Sequence, residues 1–149
     1  MMVLAADVRR QRLQQLRQNS EQSAEHQKLY YRAQTQSFPV FRIDLDWLIY
    51  NRHNGRLEAE MLTWERENTA SPGAYDDQLH ELIEGFLWKS SVRANEQTMK
   101  DLQLKQQQRA GIVSADGVII DGNRRAMRLR RIERETKQKQ YFESIILPD

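Results

Sequence analysis

Five consecutive residues, Asp121 to Arg125 (DGNRR), combine residue types that bind an anion. They follow a β-branched apolar run at 117–120, which predicts a buried strand, and they precede apolar residues at helical spacing. A glycine turn between a strand and a helix leaves the first backbone N–H groups of the helix free to donate to a phosphate. Arginine guanidinium groups can bind phosphate oxygens bidentately. The stretch therefore predicts a phosphate site made of Gly122, Asn123, Arg124 and Arg125. A surface turn with solvated arginines is the plainer alternative.

A second polar stretch, 51–56 (NRHNGR), interrupts a region that otherwise predicts core. Asparagine and glycine tolerate unusual backbone angles, so a loop is expected here. Arg56 can reach an anion from the other side of the site, and Asn51 and Asn54 are further phosphate-binding candidates. If a phosphate bond is hydrolysed, the attacking water needs an orienting group. Asp121 is the candidate catalytic residue for this role, and Asn54 is the alternative.

Six arginines lie within eleven residues of the helix predicted after this turn. They are Arg124, Arg125, Arg128, Arg130, Arg131 and Arg134. At about 3.6 residues per turn, Arg124, Arg128 and Arg131 share one side of the helix. Arg128 and Arg131 are therefore candidates for contacting a DNA backbone. Arg130 and Arg134 lie on another side and are expected to be solvated.

Composition excludes several classes of protein and site. The 149-residue chain has no cysteine, so disulfides, thiolate metal sites and cysteine nucleophiles are excluded. Its net charge is +2, so any nucleic-acid surface must be local. The first apolar run is too short for a signal peptide or a membrane span, which predicts a cytoplasmic protein without a membrane partner. We assign no metal ligand to His53 or His80.

The spacing of apolar residues predicts the elements around the two motifs. Strands are expected after Pro39 as far as Leu45, in a hairpin of 112–113 with 118–120, and at 141–147. Helices are expected at 57–68, 75–89, 95–108 and 124–140, with a break at 69–73. This order predicts an α+β fold with a small mixed sheet and a helical insert from about Leu57 to Gln108.

Residues 1–36 predict an N-terminal helical arm that projects from this domain. Residues 5–36 contain no glycine or proline and many good helix formers, but residues 17–28 offer almost no apolar surface. A solvated arm is the plainer interpretation, and a helix that binds a partner protein or a second copy of the chain is the alternative. Because the sequence stops directly after an apolar strand, we expect it to be the N-terminal part of a longer protein.

The order of these parts resembles the N-terminal domain of the ParB/sulfiredoxin superfamily. In ParB proteins an asparagine loop that ends in arginine precedes helices, and a Gly-Glu-Arg-Arg motif follows a strand and begins a helix. Asn51 and Arg56 match the ends of the first motif. The second motif is matched by Gly122, Arg124, Arg125 and Ala126. The resemblance covers roughly residues 38–147. It implies a ParB-like domain at 37–149 that binds a nucleoside triphosphate, ATP or CTP, with or without Mg²⁺, and that acts with DNA.

Two departures from the ParB pattern bear on the chemistry. Asn123 stands where ParB proteins have the glutamate that helps to hold Mg²⁺, and an amide is a poorer ligand for this cation than a carboxylate. The absence of cysteine excludes sulfiredoxin chemistry. The DGNRR form is closer to the Asp-Gly-x-x-Arg versions found in bacterial and phage restriction-type proteins, some of which hydrolyse nucleotides or cut DNA. The resemblance therefore implies an NTPase or a DNA nuclease, if the chain is an enzyme.

Three functions compete at this point. The first is a domain that couples nucleotide binding, with or without hydrolysis, to DNA handling in partition or in restriction and defence. The second is a DNA-binding adaptor without catalysis, and the third is a scaffold whose N-terminal helix binds partners. Stabilisation by a nucleotide favours the first function. Salt-dependent DNA binding without nucleotide turnover favours the second.

Overall fold

The computed structural model describes residues 3–19, 25–68, 74–107 and 109–149, and it describes only the backbone of Arg56. Within these ranges the chain forms five α-helices and two β-sheets, of two and five strands. The predicted α+β class is therefore confirmed. No helix in the same ranges is long and apolar enough to cross a membrane.

The bounds of the elements are as follows. The helices are α1 (Ala6–Asn19), α2 (Gly55–Asn68), α3 (Asp77–Lys89), α4 (Val92–Lys105) and α5 (Asn123–Thr136). The strands are β1 (His26–Tyr31), β2 (Gln34–Pro39), β3 (Phe41–Asp44), β4 (Ile49–Tyr50), β5 (Gly111–Val113), β6 (Val118–Asp121) and β7 (Tyr141–Ile146). A short 3-10 helix, Leu45–Trp47, joins β3 to β4.

The five-stranded sheet is mixed and has the strand order β3-β7-β5-β6-β4. The pairs β3–β7 and β5–β6 are antiparallel, whereas β5–β7 and β4–β6 are parallel. The predicted hairpin is confirmed as β5–β6, and the predicted last strand is confirmed as β7. Strand β6 lies between β5 and β4, and its Ile119 side chain is fully buried. Ile120, the next residue along β6, is exposed.

The predicted helical insert is confirmed as α2, α3 and α4. The start of α3 is capped by Asp76, whose carboxylate accepts a hydrogen bond from the backbone N–H of Leu79 at 2.8 Å. One face of α3 buries Leu79, Ile83 and Leu87, at the spacing of an amphipathic helix. The predicted break at 69–73 lies outside the described residues. Helix α5 packs against α3, α4 and β7, so the helix that follows the DGNRR turn is held on several sides.

The structure corrects the prediction of a projecting helical arm over residues 1–36. Helix α1 ends at Asn19, and β1 and β2 form an antiparallel hairpin. Leu13 of α1 is fully buried in the hydrophobic core. Arg9 is also buried, and its Nε donates to the backbone oxygen of Asp116, in the turn between β5 and β6, at 2.9 Å. Helix α1 therefore packs on the body of the domain through one leucine and one bonded arginine, although its apolar stripe is sparse.

The β1–β2 hairpin has one inward and one outward face. Leu29 and Tyr31 are half-buried, and the Tyr31 ring meets Phe38 edge-on with the ring centroids 5.9 Å apart. The intervening residues of β1 are exposed. The connecting turn is formed by Arg32 and Ala33, with φ of 52° and 63°. Positive φ at both positions is usual for such turns but favours asparagine and glycine, so the sequence carries no turn signal here.

Candidate functional site

The strand, glycine turn and helix predicted around residue 122 are all present. Strand β6 ends at Asp121, and α5 begins at Asn123. Gly122 lies between them with φ of 117°, a conformation that L-residues with a side chain rarely adopt. A Cβ atom at this position would lie 2.6 Å from Cζ of Phe142. Both the backbone conformation and the packed ring of Phe142 therefore require a glycine at the turn.

The N-terminus of α5 is open. Gly122 has no side chain with which to cap the helix, and the helix start has no side-chain capping hydrogen bond. The backbone N–H groups of a first helical turn have no partner within the helix itself. The helix dipole adds partial positive charge at the same place. This end of α5 can therefore bind an anion through its backbone.

Asn123 links the two predicted motifs. Its buried side chain accepts a hydrogen bond from the backbone N–H of Asn51 at 3.1 Å, and it donates to the backbone oxygen of Asn51 at 3.0 Å. The side chain of Asn51 in turn accepts from the N–H of His53 at 3.0 Å. Asn51 and Asn123, both predicted as phosphate ligands, thus hydrogen-bond to each other. Their bonds hold the first loop against the start of α5.

A cleft of about 360 Å³ opens beside this turn, lined by residues of α2, α3 and α5. Seven of the predicted site residues line it: Asn54, Asp121, Gly122, Asn123, Arg124, Arg125 and Arg128. Residues from the two distant motifs therefore meet at one cavity. Asn51 does not belong to the lining, and the side chain of Arg56 lies outside what the structure describes.

The three arginines of the cleft differ in their partners. Arg125 donates from Nη1 to the backbone oxygen of Arg109 at 2.8 Å. Arg128 donates from Nε to Oδ1 of Asn95 at 2.9 Å. Arg124 has no hydrogen-bond partner for its side chain in the described part of the chain. Arg124 is therefore the most available guanidinium for a ligand.

The cleft is cationic, and this is reflected in the pKa values of its arginines. Burial lowers the pKa of Arg128, and the charges of Arg124 and Arg125 lower it further. Burial also lowers the pKa of Arg125, against the opposing effect of the Asp121 carboxylate. Arg125 and Arg128 still carry a charge near neutral pH. A bound anion would relieve the repulsion among them.

Five residues that line the cleft were not predicted as site residues: Leu57, Glu60, Phe86, Leu87 and Ser90. Leu57 of α2 and Phe86 of α3 give it an apolar wall, and Glu60 adds a second carboxylate to that of Asp121. The helical spacing of Leu57 and Phe86 predicted only that they face the core. Leu57 and Glu60 lie one turn apart on α2, so they share a face of that helix. The sequence signal for Glu60 is an acidic residue on the same helical face as the apolar residue Leu57.

The arginine-rich face of α5 is divided between two cavities. Arg131, predicted to contact DNA, packs on Trp88 with its guanidinium carbon 3.6 Å from the ring centroid. Its Nε lies 3.8 Å from a carboxylate oxygen of Glu135. Both contacts belong to a separate groove between α3 and α5. Arg128, the other predicted DNA contact, lines the cleft with Arg124 instead.

The prediction that Arg130 is solvated is wrong. The residue is only 4% exposed, and its Nη2 donates to the backbone oxygens of Leu45 and Leu48 at 2.7 and 2.6 Å. Its guanidinium carbon lies 4.6 Å from the centroid of the Tyr50 ring. Residue 130 lies one turn after buried Ala126, so it faces inward. Arg130 therefore ties α5 to the chain between β3 and β4.

A buried polar network lies next to Arg130. Tyr75 Oη is 2.8 Å from His80 Nδ1, and His80 Nε2 is 3.2 Å from Glu84. Tyr50 donates to the second oxygen of Glu84 at 3.1 Å. Burial lowers the pKa of His80. Burial alone would raise the pKa of Glu84, but His80 and Arg134 lower it to about 2. Because both pKa values are lowered, His80 is neutral and Glu84 is charged at neutral pH.

Metal ligands are few at the cleft. Among the residues that the structure describes, no group of three histidine, aspartate or glutamate side chains could hold a metal ion. Asp121 and Glu60 are the carboxylates that line the cleft. A divalent cation there would have to share oxygen ligands with the phosphates of a nucleotide.

No family model, curated protein or solved structure matches this chain.

Proposed function

We propose that this chain is a ParB-like domain that binds a nucleoside triphosphate, ATP or CTP, in the cleft and couples that binding to DNA handling. One observation carries the proposal: Arg124 and Arg125 meet the uncapped start of α5 at a single cavity. Guanidinium groups and a helix N-terminus both bind phosphate. The strand, glycine turn and helix also stand in the order in which ParB proteins carry their Gly-x-Arg-Arg motif.

The phosphates would be divided among several donors. Arg124, whose guanidinium has no hydrogen-bond partner among the described residues, binds the phosphate nearest to the turn. Arg125 is held through Nη1 by the backbone oxygen of Arg109, which leaves its other N–H groups for a second oxygen. The backbone N–H groups that begin at Asn123 donate along the helix axis. Asn54 adds an amide on the cleft wall.

The apolar wall supports a nucleoside rather than inorganic phosphate as ligand. Leu57 and Phe86 line the same cleft as the arginines. A ligand that is anionic at one end and aromatic at the other uses both parts of this lining. Phe86 offers a ring against which a base can pack. Free phosphate would leave the wall in contact with water.

Mg²⁺ and hydrolysis form the enzymatic part of the proposal. Asp121 is exposed and lines the cleft, so its carboxylate can share a Mg²⁺ ion with the phosphates or orient a water molecule. The neighbouring arginines would stabilise charge that develops on the transferred phosphoryl group. Phosphate release over time measures this activity. Asp121→Asn should lower the rate of phosphate release while nucleotide affinity is largely retained. Glu60→Gln, which changes the other carboxylate of the cleft, is the matched variant.

The outward face of the β1–β2 hairpin supports the DNA part of the proposal. His26, Lys28 and Tyr30 lie on this face, and Ser37 and Thr35 are the cross-strand neighbours of Lys28 and Tyr30. Tyr30 is 72% exposed, and none of these five side chains is a carboxylate. Basic groups beside an exposed aromatic ring suit a phosphate backbone with accessible bases. Lys28→Ala should weaken DNA binding and reduce its dependence on salt concentration.

The alternative function is a DNA-binding or scaffold domain without catalysis. The exposed hairpin face favours it, because that face is available whether or not the cleft is filled. DNA binding that is unaffected by any nucleotide would support the alternative. DNA binding that changes when a nucleoside triphosphate is added would support coupling between the two surfaces.

A thermal-shift panel tests nucleotide binding. The protein is melted with ATP, CTP, GTP or UTP, each with and without Mg²⁺. A ligand at 100 times its dissociation constant adds about 2.7 kcal/mol to the free energy of unfolding. One triphosphate should raise the melting temperature, and Arg124→Ala should remove most of that rise. Arg134→Ala is the matched control, because Arg134 lies on the same helix outside the cleft. The proposal fails if no triphosphate stabilises the wild-type protein.

A further inference from the structure

Arg128 lines the cleft although it lies outside the Arg124-Arg125 pair of the motif. It lies one turn after Arg124 on α5, and residues at this spacing have Cβ atoms about 5–6 Å apart on one face. Both side chains line the cleft. Nε of Arg128 is taken by Oδ1 of Asn95 at 2.9 Å. Its two terminal nitrogens have no hydrogen-bond partner anywhere in the described ranges, so they remain free to donate.

Asn95 is fixed by bonds that do not involve Arg128. It is fully buried, and its Nδ2 donates to the backbone oxygens of Leu87 and Trp88 at 3.1 and 2.9 Å. Both oxygens belong to the last turn of α3. Because both amide hydrogens are used, the side chain presents only its oxygen to Arg128. Asn95 is thus an acceptor at a defined position where α3, α4 and α5 meet.

The placement of Arg128 is electrostatically unfavourable without an anion. The guanidinium is partly buried, and no described carboxylate forms an ion pair with it. Arg124 and Arg125 repel it and lower its pKa beyond the effect of burial. A role limited to joining α4 to α5 would be met by an uncharged donor. The surplus positive charge therefore points to a negatively charged ligand that contacts Arg128 itself.

We propose that Arg128 is a third phosphate-binding group of the cleft and that Asn95 is the residue that positions it. This inference rests on the proposed nucleotide site and specifies the ligand class of that site. A single phosphate at the glycine turn would be bound by the start of α5 and Arg124. Arg128 lies four residues, or about 6 Å, farther along the helix axis. It engages only a ligand with more than one phosphate, so it favours triphosphates over monophosphates.

Affinities for ATP, CTP and the corresponding monophosphates, measured by isothermal titration calorimetry, test this inference. Arg128→Ala should lower the affinity for the bound triphosphate about 10- to 100-fold, as expected for a lost charge-assisted hydrogen bond. Its affinity for the monophosphate should stay at the wild-type level. Asn95→Ala should also weaken triphosphate binding. In the Arg128→Ala background, Asn95→Ala should cause no further loss of affinity, because Asn95 acts through Arg128.

The outcomes separate this inference from the proposed function. If Arg124→Ala abolishes binding while Arg128→Ala retains full triphosphate affinity, the cleft stands and the role of Arg128 is overturned. If Asn95→Ala lowers the melting temperature but leaves triphosphate affinity unchanged, Asn95 is only structural. If the wild type binds no nucleotide, both proposals fall.

Arg128→Lys covers the case in which an alanine variant does not fold. Lysine keeps the charge and a flexible stem but lacks the planar fork of donors that meets both Asn95 and a phosphate. Its triphosphate affinity should therefore fall below that of the wild type, while its monophosphate affinity is retained. Full triphosphate affinity in Arg128→Lys would contradict the positioning by Asn95.

Discussion

Arg130 is a buried charge on an arginine-rich helix, and its replacement tests how α5 is held. Its Nη2 donates to the backbone oxygens of Leu45 and Leu48. Hydrogen bonds to charged groups contribute about 1.5–3 kcal/mol each. The loss of two such bonds therefore costs about 3–6 kcal/mol. Arg130→Ala loses both bonds and leaves a cavity beside Tyr50.

Two features reduce the expected loss. The Leu45 oxygen also accepts from the N–H of Leu48 at 3.2 Å, so it keeps one partner in the variant. Nε and Nη1 of Arg130 are buried without a hydrogen-bond partner within the described residues, and removing them recovers part of their lost hydration. We therefore expect the lower end of the range, about 3 kcal/mol for Arg130→Ala. Arg130→Met fills most of the volume and should lose less, about 1–3 kcal/mol.

Urea denaturation gives the free energy of unfolding for each variant. Arg134→Ala is the matched control on the same helix, because the Arg134 side chain is 57% exposed and its ion pair with the largely buried Glu84, at 3.3 Å, is open to solvent on the arginine side. That variant should lose less than about 1 kcal/mol. A structural role for Arg130 is refuted if the free energy of unfolding of Arg130→Ala lies within about 1 kcal/mol of the wild-type value, or if Arg134→Ala loses more than Arg130→Ala.

Three further predictions concern stability. Leu13→Ala should lower the free energy of unfolding by about 2–5 kcal/mol, because Leu13 is fully buried; an unchanged urea midpoint would show that α1 is dispensable. Gly122→Ala should cost more than about 1 kcal/mol, because its φ is positive and Phe142 lies against it, and a melting temperature equal to the wild type would contradict this. The pKa of Glu84 is about 2 in the folded protein and 4.5 in the unfolded chain. This difference contributes about 3 kcal/mol to the free energy of unfolding above pH 4.5, and the contribution is lost as the pH falls towards 2. Glu84→Gln should flatten this part of the pH–stability curve, whereas an unchanged curve would place the acid sensitivity elsewhere.

Much of the fold follows from local patterns in the sequence. The apolar spacing of α3, and the Asp116-Gly117 turn between two apolar strands, predict elements that the structure contains. The β1–β2 hairpin could not be predicted in this way, because its turn uses Arg32 and Ala33 rather than asparagine and glycine. The packing of α1 was also missed, because one deeply buried leucine, Leu13, produces almost no periodic signal.

The candidate site, too, could be predicted only in part from the sequence. The glycine turn could be predicted because strand, Gly122 and helix are adjacent in sequence, and a positive φ selects glycine. The roles of Asn123, Asn95 and Arg130 could not, because each depends on a partner more than 30 residues away in the chain. Charge and spacing do not distinguish a solvated arginine from one that donates to buried carbonyl oxygens. Tertiary contacts determine which arginines are buried: Arg128 lines the cleft, whereas Arg130 lies in the interior.

The phosphate cleft is tested most directly by two-dimensional amide NMR spectra of the ¹⁵N-labelled protein during titration with ATP or CTP. The proposed site predicts that the largest shifts fall on the backbone amides of Gly122, Asn123, Arg124 and Arg125. Smaller shifts are expected for Asn54 on the opposite wall, and none for the β1–β2 hairpin in the absence of DNA. The proposed phosphate site is contradicted if no amide signal shifts with either triphosphate, or if the shifts cluster around Trp88 in the α3–α5 groove while the signals of Gly122 to Arg125 stay unchanged.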